Sequence, residues 1–236
     1  MKIEFTHRDY NVPLDDSYYE DRPVPDEIAG VLGTSLYWQK TDTGAWGLWN
    51  SDGPIQELYV YGARWVALNE ENKRRVCIQA GANQGMYPKF YSNFFEKVYT
   101  FEPDPDNYKC VEKNCGSVDN IVIQRAALGT GGPPLHLIKA DNRNTGMHRT
   151  FNSEMNGSFE VPQISIDSLE LDNVDLIHLD IEQFEETALR GAIDTIERCK
   201  PVIISEAPGL SQLLVPLGYE CKGRLHDTVF LPIDRG

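Results

Sequence analysis

The chain has 236 residues, 41% of them hydrophobic and 25% charged, which suits one α/β core with an elaboration. Thirty-six acids against 22 lysines and arginines give a net charge of −14, and such a surface repels phosphate backbones and anionic lipid, so neither nucleic acid nor a membrane is expected as the main partner. The five cysteines form no Cys-x-x-Cys pair, which fits a reduced, cytoplasmic compartment. The spacing of Cys110 and Cys115 from His136 or His148 matches no zinc pattern, so no metal is expected. The first residues lack the apolar core of a secretory leader, and no apolar run approaches the length of a membrane span.

In chain order, residues 1–55 read as an irregular N-terminal cap. They hold Pro13, Pro23, Pro25 and Pro54, an acidic stretch from Asp15 to Glu27, and the tryptophans Trp38, Trp46 and Trp49. Short strands are expected over 35–39 and 45–49, and the tryptophans either glue the cap to the core or close over an acceptor. The apolar spacing of 54–72 predicts an amphipathic helix. An α/β alternation then begins, and residues 56–236 form the second domain. Strands are expected over 76–80, 98–102, 121–125, 174–180 and 202–206, with helices over 86–97, 105–115 and 184–199. Residues 129–160, rich in Gly, Asn, Pro and Thr, read as a hairpin and a mobile loop. Two last strands cover 219–222 and 228–233. Strands separated by helices imply a parallel sheet with right-handed crossovers.

In such sheets ligands bind beyond the carboxyl ends of the strands. That rule gathers Gly81, Asn83, Gly85, Glu102, Asp180, Glu182 and Glu206 on one rim. Val76-Cys-Ile-Gln-Ala-Gly-Ala-Asn-Gln-Gly85 is an apolar strand running into a glycine turn, and the next strand ends on the acid Glu102. The turn lets a ligand approach the backbone, and the carboxylate can hold a ribose diol, so the ligand is built like an adenosine. The turn alone does not choose between a nicotinamide dinucleotide and a sulfonium cofactor, although it is not Gly-x-Gly-x-x-Gly. In the run His178-Leu-Asp180-Ile-Glu182, strand alternation points the three ionisable side chains one way if the strand continues that far. Asp180 and Glu182 either serve chemistry or cap the following helix, and His178 serves as a base or as a satisfied core histidine.

Seven segments in register carry a resemblance. Gln79-Ala-Gly-Ala-Asn-Gln-Gly85, Phe101-Glu-Pro-Asp-Pro105 and Ala126-Ala-Leu-Gly129 come first. Ile166-Asp-Ser-Leu169, Asp175-Leu-Ile-His-Leu-Asp-Ile-Glu182, Leu189-Arg-Gly-Ala192 and Lys200-Pro-Val-Ile-Ile-Ser-Glu206 follow. Together they resemble the FkbM family of S-adenosylmethionine-dependent methyltransferases over about 76–206. The resemblance implies a class I methyltransferase, Rossmann-like α/β fold, with a mostly parallel seven-stranded sheet ending in an antiparallel hairpin strand. It implies S-adenosylmethionine over Gln79, Gly81, Ala82, Asn83 and Gly85, with Glu102 and Pro103 at the ribose, Ala127 and Leu128 beside the adenine, and the methyl facing Asp180. The acceptor it implies is a small molecule or glycan methylated on a hydroxyl oxygen. His178 and Asp180 are the candidate bases, with Glu182 and Glu206 behind them. Three positions depart from the family pattern. Gln79 stands where an acid is usual, His178 where a lysine is, and Gln183 where a glycine is. An NAD-dependent oxidoreductase, or a binding protein that has kept the fold without catalysis, are the alternative readings.

Overall fold

The computed structural model describes residues 12–24, 26–42, 74–140, 144–207, 209–224 and 227–233. The expected strand over 45–49, the helix over 54–72 and the tryptophans Trp46, Trp49 and Trp65 lie outside them.

Within the acidic N-terminal region the order is β1 (Tyr19–Pro23), α1 (Asp26–Leu32) and β2 (Ser35–Gln39). β1 and β2 pair antiparallel. Only β2 was legible in the sequence. The buried Arg22 explains how polar β1 holds: its guanidinium donates to the carbonyls of Gln39, Lys40 and Asp42, and so ties the hairpin to the chain that follows it.

The core strands are β3 (Val76–Ala80), β4 (Lys97–Phe101) and β5 (Ile121–Gln124), with α2 (Met86–Tyr91) and α3 (Pro105–Cys115) between them. α2 is shorter than its sequence pattern suggests. The side chains of Ser92 and Asn93 hydrogen-bond back to the carbonyls of Lys89 and Phe90, which closes the helix early. α3 begins where expected because the Asp104 carboxylate caps the backbone N–H groups of Asp106 and Asn107, with Pro105 at the first helical position.

The stretch 129–160 is more ordered than a loop. After the two-residue β6 (Ala127–Leu128), β7 (Leu135–Ile138), β8 (Arg149–Phe151) and β9 (Phe159–Val161) form a small antiparallel sheet in the order β8-β7-β9. Leu135 and Leu137 face inward with Val161, a period of two hidden in the sequence by the flanking Gly and Pro. β10 (Gln163–Ile164) then pairs with β6.

β11 (Val174–Leu179) is wholly buried. The helix expected over 184–199 is two, α4 (Glu185–Arg190) and α5 (Ile193–Cys199). A Cβ on Gly191 would lie 2.0 Å from the carbonyl oxygen of Gly129, so the chain turns there. The Asp167 carboxylate then starts α5 by accepting from the backbone of Thr195. β12 (Val202–Ser205), α6 (Ser211–Leu214), β13 (Tyr219–Arg224) and β14 (Thr228–Pro232) complete the chain.

The main sheet has seven strands in the order β13-β14-β12-β11-β3-β4-β5. From β12 to β5 neighbours run parallel, and β14 is antiparallel to both β12 and β13. This is the class I methyltransferase arrangement. The order reverses direction between β3 and β11, so the crevice outside their carboxyl ends is the place for a ligand. Two apolar layers cover the sheet. One joins α1 and α2 through Leu32, Phe90 and Tyr91, and the other joins α4 to α6 through Leu189, Ile196 and Leu214. Among the described residues no helix is long and apolar enough to cross a membrane, and all five cysteines are free thiols.

Candidate active site

Geometry at the end of β3 leaves no choice of residue. Gly81 has φ +82°, and a Cβ there would sit 1.8 Å from the carbonyl oxygen of Asp180. Only glycine lets the turn pass that close to the end of β11. Asn83 also takes a left-handed conformation, φ 50°. Its backbone N–H donates to Glu102 Oε2 at 2.7 Å, and that of Asp104 donates to Glu102 Oε1 at 2.9 Å. The backbone thus fixes the carboxylate at the end of β4 from both sides. Burial, and next the charge of Asp104, push Glu102 up to about 8.

These residues open on one cavity. Of the residues singled out in the sequence, Gly81, Ala82, Asn83, Glu102, Pro103, Ala127, Leu128, Asp180 and Glu182 line it. Ala126, Ala127, Leu128 and Leu137 give it apolar lining, and Trp38, Met86 and Tyr87 line it as well. Gln79, Gly85, His178 and Glu206 are not among the lining residues. Gly85 sits behind the turn, where a Cβ would meet Cys115 Sγ at 2.9 Å. Gln79 lies beneath the turn with no exposure. It donates to the carbonyls of Ala80 and Gly81 and accepts from Thr100 Oγ1 at 2.6 Å. A carboxylate could not make the two donor contacts, so the amide suits this local wiring.

Carboxylates gather at the ends of β11 and β12. Oxygens of Asp180, Glu182 and Glu206 all lie within 4.8 Å of one another. Burial raises Asp180 well above the usual carboxylate range, and the charge of Glu206 adds to it. Two carboxyl groups this close disfavour being ionised together. Glu182 occupies a left-handed turn position, φ 55°, and is also raised, by burial and then by Glu206, while Arg149 on β8 acts the other way. Glu185 starts α4 and accepts from the backbone N–H of Ile181, which pins the turn carrying Asp180 and Glu182.

His178 faces the core rather than the cavity. Its Nδ1 lies 3.0 Å from Tyr91 Oη, and its Nε2 lies 3.3 Å from Asp227 Oδ2.

Sequence reasoning missed a buried polar node at the back of the cavity. Thr145 Oγ1 donates to Asp42 Oδ2 and accepts from Gln84 Nε2, and its carbonyl accepts from Asn107 Nδ2. Gln39 Nε2 in turn donates to Asn107 Oδ1. Four segments distant in sequence meet there, and only Gln84, inside the glycine turn, carried a signal. His148 also lines the cavity, held by the backbone N–H of Ala140 on Nδ1, and burial lowers its pKa.

Residues 79–212 match the family model of the methyltransferase FkbM domain. A solved FkbM methyltransferase from Methylobacillus flagellatus KT is 18% identical, with a TM-score of 0.48 over 67% of this chain and 44% of that one. This chain therefore spans less than half the length of that relative. A ribosomal protein L11 methylase from Lactobacillus delbrueckii subsp. bulgaricus is 11% identical, with a TM-score of 0.43 over 76% of this chain and 77% of that one. A SAM-dependent methyltransferase from Aquifex aeolicus is 12% identical, with a TM-score of 0.41 over 77% of this chain and 93% of that one. No curated protein matches the sequence.

Proposed function

Since the chain belongs to the FkbM methyltransferase family, we propose that it transfers a methyl group from S-adenosylmethionine to a hydroxyl oxygen of a sugar or other small polyhydroxylated acceptor. The observation that carries this reading is a cavity lined both by the Gly81–Asn83 turn with Glu102 and by Asp180 and Glu182 with the rings of Trp38 and Tyr87. The residues fit the cofactor. Glu102 offers a fixed carboxylate for the ribose hydroxyls, and the apolar lining from Ala127, Leu128 and Pro103 suits the flat faces of adenine. The Gly81–Asn83 backbone lies open to the amino acid end.

S-adenosylmethionine supplies an electrophilic methyl on its sulfonium. The protein aligns acceptor, methyl and sulfur, a contribution of at most about 7–11 kcal/mol. Asp180 and Glu182 lie on the cavity wall where an acceptor hydroxyl must sit. Asp180, with Glu206 close beside it, anchors the hydroxyl. Glu182, whose charged form Arg149 favours, receives its proton. Aromatic faces beside carboxylates suit a sugar, whose C–H face stacks on a ring while its hydroxyls donate to the acids.

Calorimetric titration with S-adenosylmethionine, S-adenosylhomocysteine and NAD tests the cofactor. Binding of NAD alone sinks the reading. A labelled-methyl screen against extract fractions, with mass spectrometry of the product, tests the acceptor. A product methylated on nitrogen or carbon overturns the oxygen assignment. Tight cofactor binding with no transfer to any fraction favours a binding protein.

A further inference from the structure

The reading above leaves unused a buried chain of polar groups that runs from the core to the acidic rim. Tyr91 Oη stands 3.0 Å from His178 Nδ1, and His178 Nε2 stands 3.3 Å from Asp227 Oδ2. All three residues are at least nine-tenths buried. The ring of Tyr87, a cavity residue, meets the imidazole edge-on at 5.0 Å. A phenol donates its hydrogen to an unprotonated Nδ1, which leaves Nε2–H to donate to the carboxylate.

The sheet register shows where that carboxylate stands. Leu179 pairs with Ser205, and Ser205 with Thr228. The ladder continues one step further, since Asp180 N donates to Ala80 O and Glu206 N to Leu179 O. The next row therefore sets Asp180, Glu206 and Asp227 side by side at the ends of β11, β12 and β14. Oxygens of Asp180 and Glu206 lie within 4.8 Å of each other, and the third carboxylate is tied back to the core by His178.

We infer that His178 and Asp227 are positioning residues: His178 holds the Asp227 carboxylate beside those of Asp180 and Glu206, and this third acid makes that pair share a proton. The groups facing Asp180 are Glu206 from β12, Asp227 ahead of β14, and Glu182 from its own turn. Arg149 from β8 and Glu185 from α4 act on Glu182. Each of these three acids favours the protonated form of Asp180, and Asp227 adds to the effect of Glu206. Asp180 then meets an acceptor as a neutral hydrogen-bond donor or acceptor. The inference takes from the proposed function only the place of the acceptor.

Carboxyl 13C NMR of the full chain, titrated without cofactor or acceptor, tests it independently of that function. Asp180→Asn assigns the signal. The wild-type signal should stay protonated through neutral pH. In Asp227→Asn its midpoint should fall by about one pH unit, the scale of a close like charge. His178→Leu should move it the same way by releasing Asp227, and His178→Gln, which keeps a donor, should restore it. A midpoint unmoved in Asp227→Asn, while thermal stability falls, leaves the chain of groups merely structural and overturns the inference. Histidine 15N shifts give a second reading on the unaltered protein: a proton on Nε2 supports the wiring, and one on Nδ1 alone overturns it.

Discussion

Glu102 and Asp180 both stand at the carboxyl end of a central strand and line one cavity, yet they are held in opposite ways. Backbone N–H groups of Asn83 and Asp104 grip both oxygens of Glu102. Asp180 instead faces other acids at close range, Glu206 and Glu182. The first site is fixed by main chain, and its geometry survives any change of proton. The second is where we infer a shared proton, and its geometry depends on charge. The cofactor half is thus rigid before anything binds, while the acceptor half is poised by its ionisation. The predictions that test this division are ordered by expected loss of S-adenosylmethionine affinity, each read by calorimetry beside a thermal melt.

Gly81→Ala should have the largest effect. The new Cβ would lie 1.8 Å from Asp180 O in a left-handed turn, so the two halves must part. A clash and strain of ~3 kcal/mol correspond to about a 100-fold loss of affinity. An alanine variant that binds as wild type would show that the close approach of β3 and β11 is dispensable.

Glu102→Gln should follow. It removes the charge offered to the ribose hydroxyls, a hydrogen bond to a charged group worth ~1.5–3 kcal/mol, or about 10- to 100-fold. It also removes a pH dependence whose sign is fixed. Glu102 is raised from 4.5 to about 8 in the folded protein, so the fold holds the proton longer than the unfolded chain does. Its contribution to stability is fully present below 4.5 and lost as pH rises through about 8. Ribose hydroxyls donate to the ionised form, so affinity should rise toward pH 8 and level above it. The empty protein loses stability over the same range in which it gains affinity. A flat affinity profile in the wild type, or an unchanged slope in the glutamine variant, would remove Glu102 from the ribose.

Gln79→Glu should be milder, about tenfold. The amide donates to the carbonyls of Ala80 and Gly81, and a carboxylate would set acceptor against acceptor under the turn. The family's usual acid at this position makes the test sharp. Affinity equal to or above that of the wild type would mean that the turn rewires around an acid, and that its main chain is less fixed than Glu102 implies.

The same division explains what was legible in the sequence. The cofactor half is local: Gly81, Asn83 and Gly85 fall within five residues, and Glu102 ends the next strand, so strand period and glycine spacing reveal it. The alternation of strands and helices implied the parallel sheet, and the family resemblance implied its seven strands and antiparallel end. The acceptor half is assembled across strand ends, and one-dimensional spacing says which acids share a rim but not which face the cavity. Alternation in His178-Leu-Asp180-Ile-Glu182 set three side chains on one face, but the strand stops at Leu179. Glu182 then turns through a left-handed conformation, while His178 is captured by Tyr91 and Asp227, 87 and 49 residues away along the chain. Long-range partners of that kind have no sequence period. The polar β1 was hidden for the same reason, since the carbonyls that bury Arg22 lie up to 20 residues downstream.

Glu182→Gln should change cofactor affinity least, by about twofold at most, and so marks the boundary between the halves. Glu182 is half-buried, and its nearest influences are Glu206 and Arg149, both on the acceptor side. No backbone N–H of the glycine turn depends on it. Its loss should appear in the transfer step, where a missing proton acceptor typically costs about 10²–10⁴-fold in rate. Affinity and rate therefore separate at this residue, whereas at Glu102 affinity falls first. If Glu182→Gln weakens S-adenosylmethionine binding as much as Glu102→Gln does, the carboxylate reaches across the cavity to the cofactor, and the rigid and the proton-held halves are one site.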